Sequence, residues 1–215
     1  MDQRQASLQL REHIIDASRR IFSRKGAAEA TLEDVAQEAG ISDSAIYENY
    51  RNKNELFVAM RSQVQLPLME IMGDKLSSQD ADPFDQLEQF ILGSIRALAL
   101  DHRVSATYRI MFFKCEYVGE LEELHHQEFA AADDLLAHFE DCYRRAARRQ
   151  QLDERWDPTL ASLDTLAFLG GLVRFWVGES DRGKFRDMAE RLVIAHLNSK
   201  RRIARRVARE HRAAG

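Results

Sequence analysis

The stretch "TLEDVAQEAGISDSAIYENY", residues 31–50, limits the possible fold more than any other part of the chain. Thr31 can cap a helix and Asp34 can close a capping box three residues on, a shorter partner than the usual Glu or Gln. Leu32, Val35, Ala36 and Ala39 then recur at i, i+3, i+4 and i+7, one apolar stripe over two turns. Gly40 can take the left-handed conformation that stops a helix, and Ser42 can cap the next. Ile46 and Tyr50 give that second helix an inner side, Ile41 and Ile46 can plug the angle between the two, and Ala36 is small enough to let them cross closely. Two short helices across a "GIS" turn are the elements of a helix-turn-helix, and also of an ordinary tight hairpin in a bundle.

The surroundings read as helix as well. With 3 Pro and 10 Gly in 215 residues and few β-branched runs, the expected fold is all-α. Ile14, Ser18, Ile21, Phe22 and Lys25, with Ile15 alongside, mark a first amphipathic helix over 8–25 that Gly26 stops. Asn52 and Glu55 offer a cap for a helix through "ELFVAM". Polar, breaker-rich "GDKLSSQDADP" at 73–83 precedes longer apolar stripes over 84–100, 105–118, 121–149, 158–178 and 184–207, and Asp82-Pro83 and Asp157-Pro158 pair a capping acid with a first-turn proline.

Residues 11–57, "REHIIDASRRIFSRKGAAEATLEDVAQEAGISDSAIYENYRNKNELF", resemble the DNA-binding domain of TetR-family transcriptional regulators. The stretches "FFKCEYVGELEEL" and "LDERWDPTLASLDTLAFLGGLVRFWVG" resemble the AcrR-type branch, whose members commonly repress multidrug-efflux genes. The resemblance implies a helix-turn-helix domain over 1–57 and a ligand-binding and dimerisation domain over 58–215. These are joined by a linking helix at about 54–72, and a basic tail follows at 200–215. It implies a homodimer on a palindromic double-stranded operator, released by a hydrophobic or amphipathic effector. By matching position, Thr31, Ser42, Tyr47 and Lys53 would hold phosphates, Tyr50 would pack inside, and Asp43, Ser44, Ala45, Glu48 and Asn49 would lie where bases are read. Many relatives have Arg at the place of Asp43, Gly at that of Ser44, and an aromatic and a His at those of Glu48 and Asn49.

Acids on a reading helix face a polyanion. Asp43 falls in a first helical turn, where the helix dipole favours a carboxylate by about 0.3–1 kcal/mol. Alternatively, Asp43 or Glu48 accepts from a cytosine amino group, a contact that discriminates by about 1–3 kcal/mol. Phosphate contacts position and base contacts specify, so Lys53, Arg51, hydroxyls and helix N-termini can supply the clamp. A net charge of −4 argues against a uniformly basic surface for sequence-blind binding.

The second half carries no Gly-rich phosphate loop, Cys-x-x-Cys or nucleophile motif, so neither an enzyme nor a cofactor is expected. Adjacent His125 and His126 diverge by about 100° on a helix, and no metal site is expected. Phe112, Phe113, Cys115 and Phe168 are candidate effector contacts, and Cys115 and Cys142 read as buried free thiols, with a redox switch as the alternative. Leu169, Leu172, Val173, Trp176 and Leu192 are candidates for a dimer face, which glycines 170 and 171 would let approach closely. The run "LAFLGGLV" stops at Arg174, too short for a bilayer, and the N-terminus lacks a signal-peptide core; a cytoplasmic protein without membrane contact is expected. The basic tail reads as a solvated helix end or an auxiliary anion contact. The rival to a regulator is an all-α small-molecule carrier or partner-binding module that has lost DNA binding, a reading Asp43 and Glu48 favour.

Overall fold

The structure, a computed structural model, describes the backbone of residues 3–76, 80–116, 122–178 and 183–202. The described residues form nine helices: α1 (Gln3–Lys25), α2 (Leu32–Ala39), α3 (Asp43–Asn49), α4 (Lys53–Leu76), α5 (Pro83–Leu100), α6 (His102–Phe113), α7 (Glu122–Arg148), α8 (Pro158–Gly178) and α9 (Gly183–Asn198). The fold is all-α.

The apolar stripes close two cores. In the first, Ile14, Ile21 and Phe22 of α1 meet Leu32, Val35 and Ala36 of α2, Ile46 and Tyr50, and Leu56, Phe57 and Met60 of α4. The second gathers Phe84, Leu87, Phe90 and Ile91 of α5, Phe139 and Tyr143 of α7, and Leu169, Leu172 and Trp176 of α8. The division falls inside α4, because Met60 belongs to the first core and Val64, one turn on, to the second. Ile110 of α6 is also fully buried in the first core.

Three helices differ at their ends from the periodicity. α6 starts at His102 and stops at Phe113, not 105 to 118, because Asp101 caps it by accepting from Arg103 N at 2.7 Å and Lys114 turns its carbonyl to Ala27 N at 2.7 Å. α1 begins at Gln3, its first turns polar and exposed and therefore outside any apolar stripe. α9 ends at Asn198, not 207, as the chain turns to pair with residues 151–153. There Asp153 N donates to Lys200 O at 2.9 Å and Arg202 N to Gln151 O at 2.7 Å. The basic tail beyond Arg202 and the side chains of His125 and His126 lie outside the described residues.

α8 corrects the reading from its apolar run. Its 21 residues are long and apolar enough to cross a membrane. Its position gives a different reason for that composition: it packs against α5, α6, α7 and α9.

Candidate nucleic-acid interface

α2 and α3 are fixed by their caps. Thr31 Oγ1 accepts from Asp34 N at 3.1 Å while Asp34 accepts from Thr31 N at 3.1 Å, a complete capping box. Gly40 adopts φ +66°, which lets its N–H and that of Ile41 return to the last carbonyls of α2. Ser42 Oγ accepts from Ala45 N at 3.2 Å and starts α3. Fully buried Ile46 and nearly buried Tyr50 then pin α3 on the first core. The outer face follows by periodicity: Asp43 and Tyr47, and Ser44 and Glu48, are one turn apart and all exposed.

Of the expected base-reading residues, Asp43, Ser44 and Glu48 stand on that face. Ala45 and Asn49 are half-buried, and Asn49 is turned inward: its Nδ2 donates to Ala45 O at 2.9 Å. Arg11 donates to Asn49 O at 3.2 Å and lies 5.3 Å from the Tyr50 ring centroid, clamping the end of α3 onto α1. The expected phosphate contacts already have internal partners. Tyr47 OH donates to Glu33 Oε1 at 2.6 Å, a bond that lowers the Glu33 carboxyl pKa and raises that of the Tyr47 phenol. Lys53 Nζ donates to Ala28 O at 2.7 Å, and Ser42 Oγ lies 3.0 Å from Ser44 Oγ. Each of these bonds lies in exposed surroundings; those of Tyr47 and Lys53 reach a neighbouring element, and that of Ser42 stays within the first turn of α3.

Other cations of this half are occupied as well. Arg20 and Arg24 pair with Glu38 at 2.7 and 3.1 Å, and Lys25 with Asp34 at 2.6 Å, holding those carboxyls below the usual range. At the seam between the cores, Arg19 is 5% exposed and donates from Nε to Thr107 Oγ1 of α6 at 3.1 Å. Its terminal nitrogens reach Asp16 and Gln63, and Arg103 of α6 reaches Asp16 at 2.9 Å. Sequence reading passed over Arg11, Arg19 and Glu33, since nothing in their spacing tells that their partners lie on other helices.

The four expected effector contacts are divided between the two cores. Cys115 packs against the first core. Phe168 stacks on His196 with centroids 3.9 Å apart, beside the buried series Tyr143, Thr165, His196, Lys200. Phe112 packs against the second core, while Phe113, 43% exposed, borders a cleft and takes Arg174 over its ring at 4.8 Å. Cys142 is fully buried, and burial pushes its thiol up to about 11, opposite to a reactive thiolate.

The expected dimer face needs a similar correction. Leu169, Leu172 and Trp176 are buried in the chain's own core, and Val173 is partly covered; only Leu192, 38% exposed, faces outward. The outward face of α8 is instead Leu160, Leu163, Ala167 and Gly170. α8 is apolar on nearly every side, so periodicity could not choose between its faces.

Residues 14–60 match the family described as "Bacterial regulatory proteins, tetR family", and residues 82–200 match "MAATS-type transcriptional repressor, C-terminal region". The chain is 30% identical over 167 residues to the HTH-type transcriptional repressor BepR of Brucella suis, covering 78% of this chain and 80% of BepR. It is 30% identical over the same length to the HTH-type transcriptional regulator TtgR of Pseudomonas putida, again covering 78% and 80%. Among solved structures, NalD, the secondary repressor of the MexAB-OprM multidrug efflux pump in Pseudomonas aeruginosa, superposes with a TM-score of 0.82 at 27% identity, covering 92% of this chain and 98% of NalD. A complex of SmeT with triclosan superposes with a TM-score of 0.72 at 28% identity, covering 87% and 90%. SmeT is the repressor of the Stenotrophomonas maltophilia multidrug efflux pump SmeDEF.

Proposed function

The chain belongs to the TetR family of bacterial regulatory proteins, and on that premise we propose that it is a ligand-responsive transcriptional repressor of efflux or stress-response genes. The observation that carries this is the outer face of α3, where Ser42, Asp43, Ser44, Tyr47 and Glu48 project from a helix pinned through Ile46 and a left-handed Gly40. Such a helix, rigidly mounted and exposed along one face, fits the major groove. The surface acids and occupied cations make its electrostatic attraction weaker than that of a basic helix. Affinity then rests on Lys53, Tyr47, Thr31 and helix N-termini placed against phosphates, with Asp43 and Glu48 tuning the base preference. As a DNA-bound regulator it works in the cytoplasm.

The operator is palindromic because the working form is a homodimer. Leu160, Leu163 and Phe175 of α8 and Met188, Leu192 and Ile194 of α9 are between 38% and 64% exposed, an apolar surface fit for a second copy. Glycines 170 and 171 have open space where a side chain would stand, which lets a partner helix come close. A hydrophobic or amphipathic effector, of the kind SmeT holds as triclosan, favours a dimer whose two reading helices no longer match grooves about 34–36 Å apart. A coupling of about 1–3 kcal/mol changes DNA affinity about 5–150-fold.

The test is a fluorescence-anisotropy titration against the DNA upstream of the protein's own gene, with scrambled DNA as control and salt varied. Selective, salt-dependent binding is expected. Equal affinity for both duplexes at every salt concentration, extended to a wider operator search, would remove the repressor reading.

A further inference from the structure

At the seam between the two cores lies a cleft of about 650 Å³ that the proposed dimer face and reading helix do not use. Its floor is one stripe of α6: His102, Ser105, Ala106, Arg109 and Phe113, spaced i, i+3, i+4, i+7 and i+11. Leu98 to Leu100 at the end of α5 form one wall, Gly178 of α8 the far end, and Ser23 brings in α1. The volume lies within the range of small-molecule sites.

The lining has two chemical properties. Every ionisable side chain among its described residues is basic or His: His102, Arg109 and Lys114. Its apolar part is unusually wet, since Leu100 is 86% exposed and Phe113 43%. Arg109 stands mid-stripe, with His102 about 10 Å to one side along the axis and Lys114 about 8 Å to the other, from a rise of 1.5 Å per residue. It is anchored, because its Nε donates to Val177 O at 3.0 Å, which uses one of five guanidinium donors. Phe113 is placed against Gly178, where an added Cβ would stand 2.9 Å from its ring.

We propose that this cleft binds a small anionic amphiphile, such as a medium-chain carboxylate, its head group on Arg109 with Lys114 in support and its chain along Leu98, Leu100 and Phe113. A guanidinium held by a backbone carbonyl is a preorganised anion site, and the chain covers leucine and phenylalanine surface otherwise left to water. Filling the cleft also touches α1 through Ser23, near the point where Ala27 N donates to Lys114 O. The occupant therefore bears on the docking of the first core against α6. Any effect on DNA rests on the repressor reading above; binding itself does not.

The test uses the full chain and calorimetric titration with dodecanoate below its micellar concentration, with dodecan-1-ol and dodecyltrimethylammonium as neutral and cationic arms. Dodecanoate is expected to bind about two- to fivefold more tightly than either, the range for an ion pair on an exposed side chain such as Arg109. Arg109→Gln should weaken it up to about fivefold and Lys114→Glu, which reverses a charge, about threefold or more, both side chains being exposed. A dodecanoate carrying a terminal diazirine should label peptides from 98–114. Equal binding of the three amphiphiles, unchanged affinity in both variants, or label confined to α7 and α9 would overturn the proposal. Because these readouts contain no DNA, failure of the operator titration leaves them standing, and their failure leaves the operator titration standing.

Discussion

Replacing Arg19 with Met isolates what one buried cation contributes to the seam. Arg19 joins α1 to Thr107 of α6 and to Gln63 of α4, and pairs with Asp16 on its own helix. Burial pulls the guanidinium pKa down and Asp16 pulls it back up, so the charge is tolerated there because its acceptors are in place. Methionine keeps the apolar stem and removes the cation, leaving fully buried Thr107 without that donor. Hydrogen bonds to a charged group are worth about 1.5–3 kcal/mol each. Asp16, however, has a side chain 29% exposed and keeps Arg103 at 2.9 Å, which discounts its share. Gln63 is half-buried and can turn to water. The expected loss is about 2–4 kcal/mol, which at about 2–4 °C per kcal/mol for a chain of this size lowers Tm by about 4–16 °C. Urea unfolding followed by circular dichroism at fixed protein concentration measures it. A double-mutant cycle with Thr107→Val should return a coupling of about 1–2 kcal/mol. A variant within about 0.5 kcal/mol of the parent, or a cycle without coupling, refutes the reasoning.

Lys53→Ala should reduce the slope of log affinity against log salt by about 0.9, one phosphate contact, and weaken all duplexes alike; an unchanged slope would leave Lys53 only its bond to Ala28. Asp43→Ala should change preference at one base pair by about 5-fold or more if the carboxylate reads a cytosine, and a substituted-operator panel that shifts uniformly would reduce Asp43 to a helix-start residue. Leu163→Glu should turn the proposed dimer into a monomer in sedimentation at micromolar concentration, whereas an unaltered dimer would place the interface elsewhere. His196 is held neutral: burial and then Lys200 push it from 6.5 to about 4. The unfolded chain takes up that proton first, so this contribution is complete above about pH 6.5 and is lost as pH falls towards 4, by up to about 3 kcal/mol. Between pH 7 and 4.5 the parent should lose about 2–3 kcal/mol more than His196→Gln in urea titrations, and parallel pH profiles would contradict the shift.

The parts of this fold legible in the sequence are those governed by local rules. Thr31, Gly40 and Ser42 act on atoms within four residues of themselves, so caps and turn could be read from spacing. Leu32, Val35, Ala36 and Ala39 could be read as a buried stripe because the rest of α2 is polar. Periodicity is silent where a helix lacks contrast: α8 buries Leu169, Leu172 and Trp176 and exposes Leu160 and Leu163, and both stripes are apolar. It is silent also where the partner is distant in sequence. Tyr47 to Glu33, Arg19 to Thr107 and Lys200 to Asp164 are long-range pairs, and either member alone looks like a solvated charge or hydroxyl.

Two helices therefore decide how a signal in the larger core could reach α3. α4 contributes Leu56, Phe57 and Met60 to one core and Val64 to the other within one helix, so it spans the division between the two cores. α6 does the same with opposite polarity along its axis, Val104 in the larger core and Ile110 in the smaller. The ends of α6 are tied to α1 by Arg103 to Asp16 and to the turn after α1 by Lys114 O accepting from Ala27 N, and its outer stripe lines the cleft. Close-packed interiors transmit displacements instead of absorbing them. A shift of α6 must then carry α1, and α1 holds α3 through Arg11 at Asn49 and Tyr50. The reading helix is thus mechanically connected to the cleft through α6 and α1, while α4 packs against both and spans the two cores.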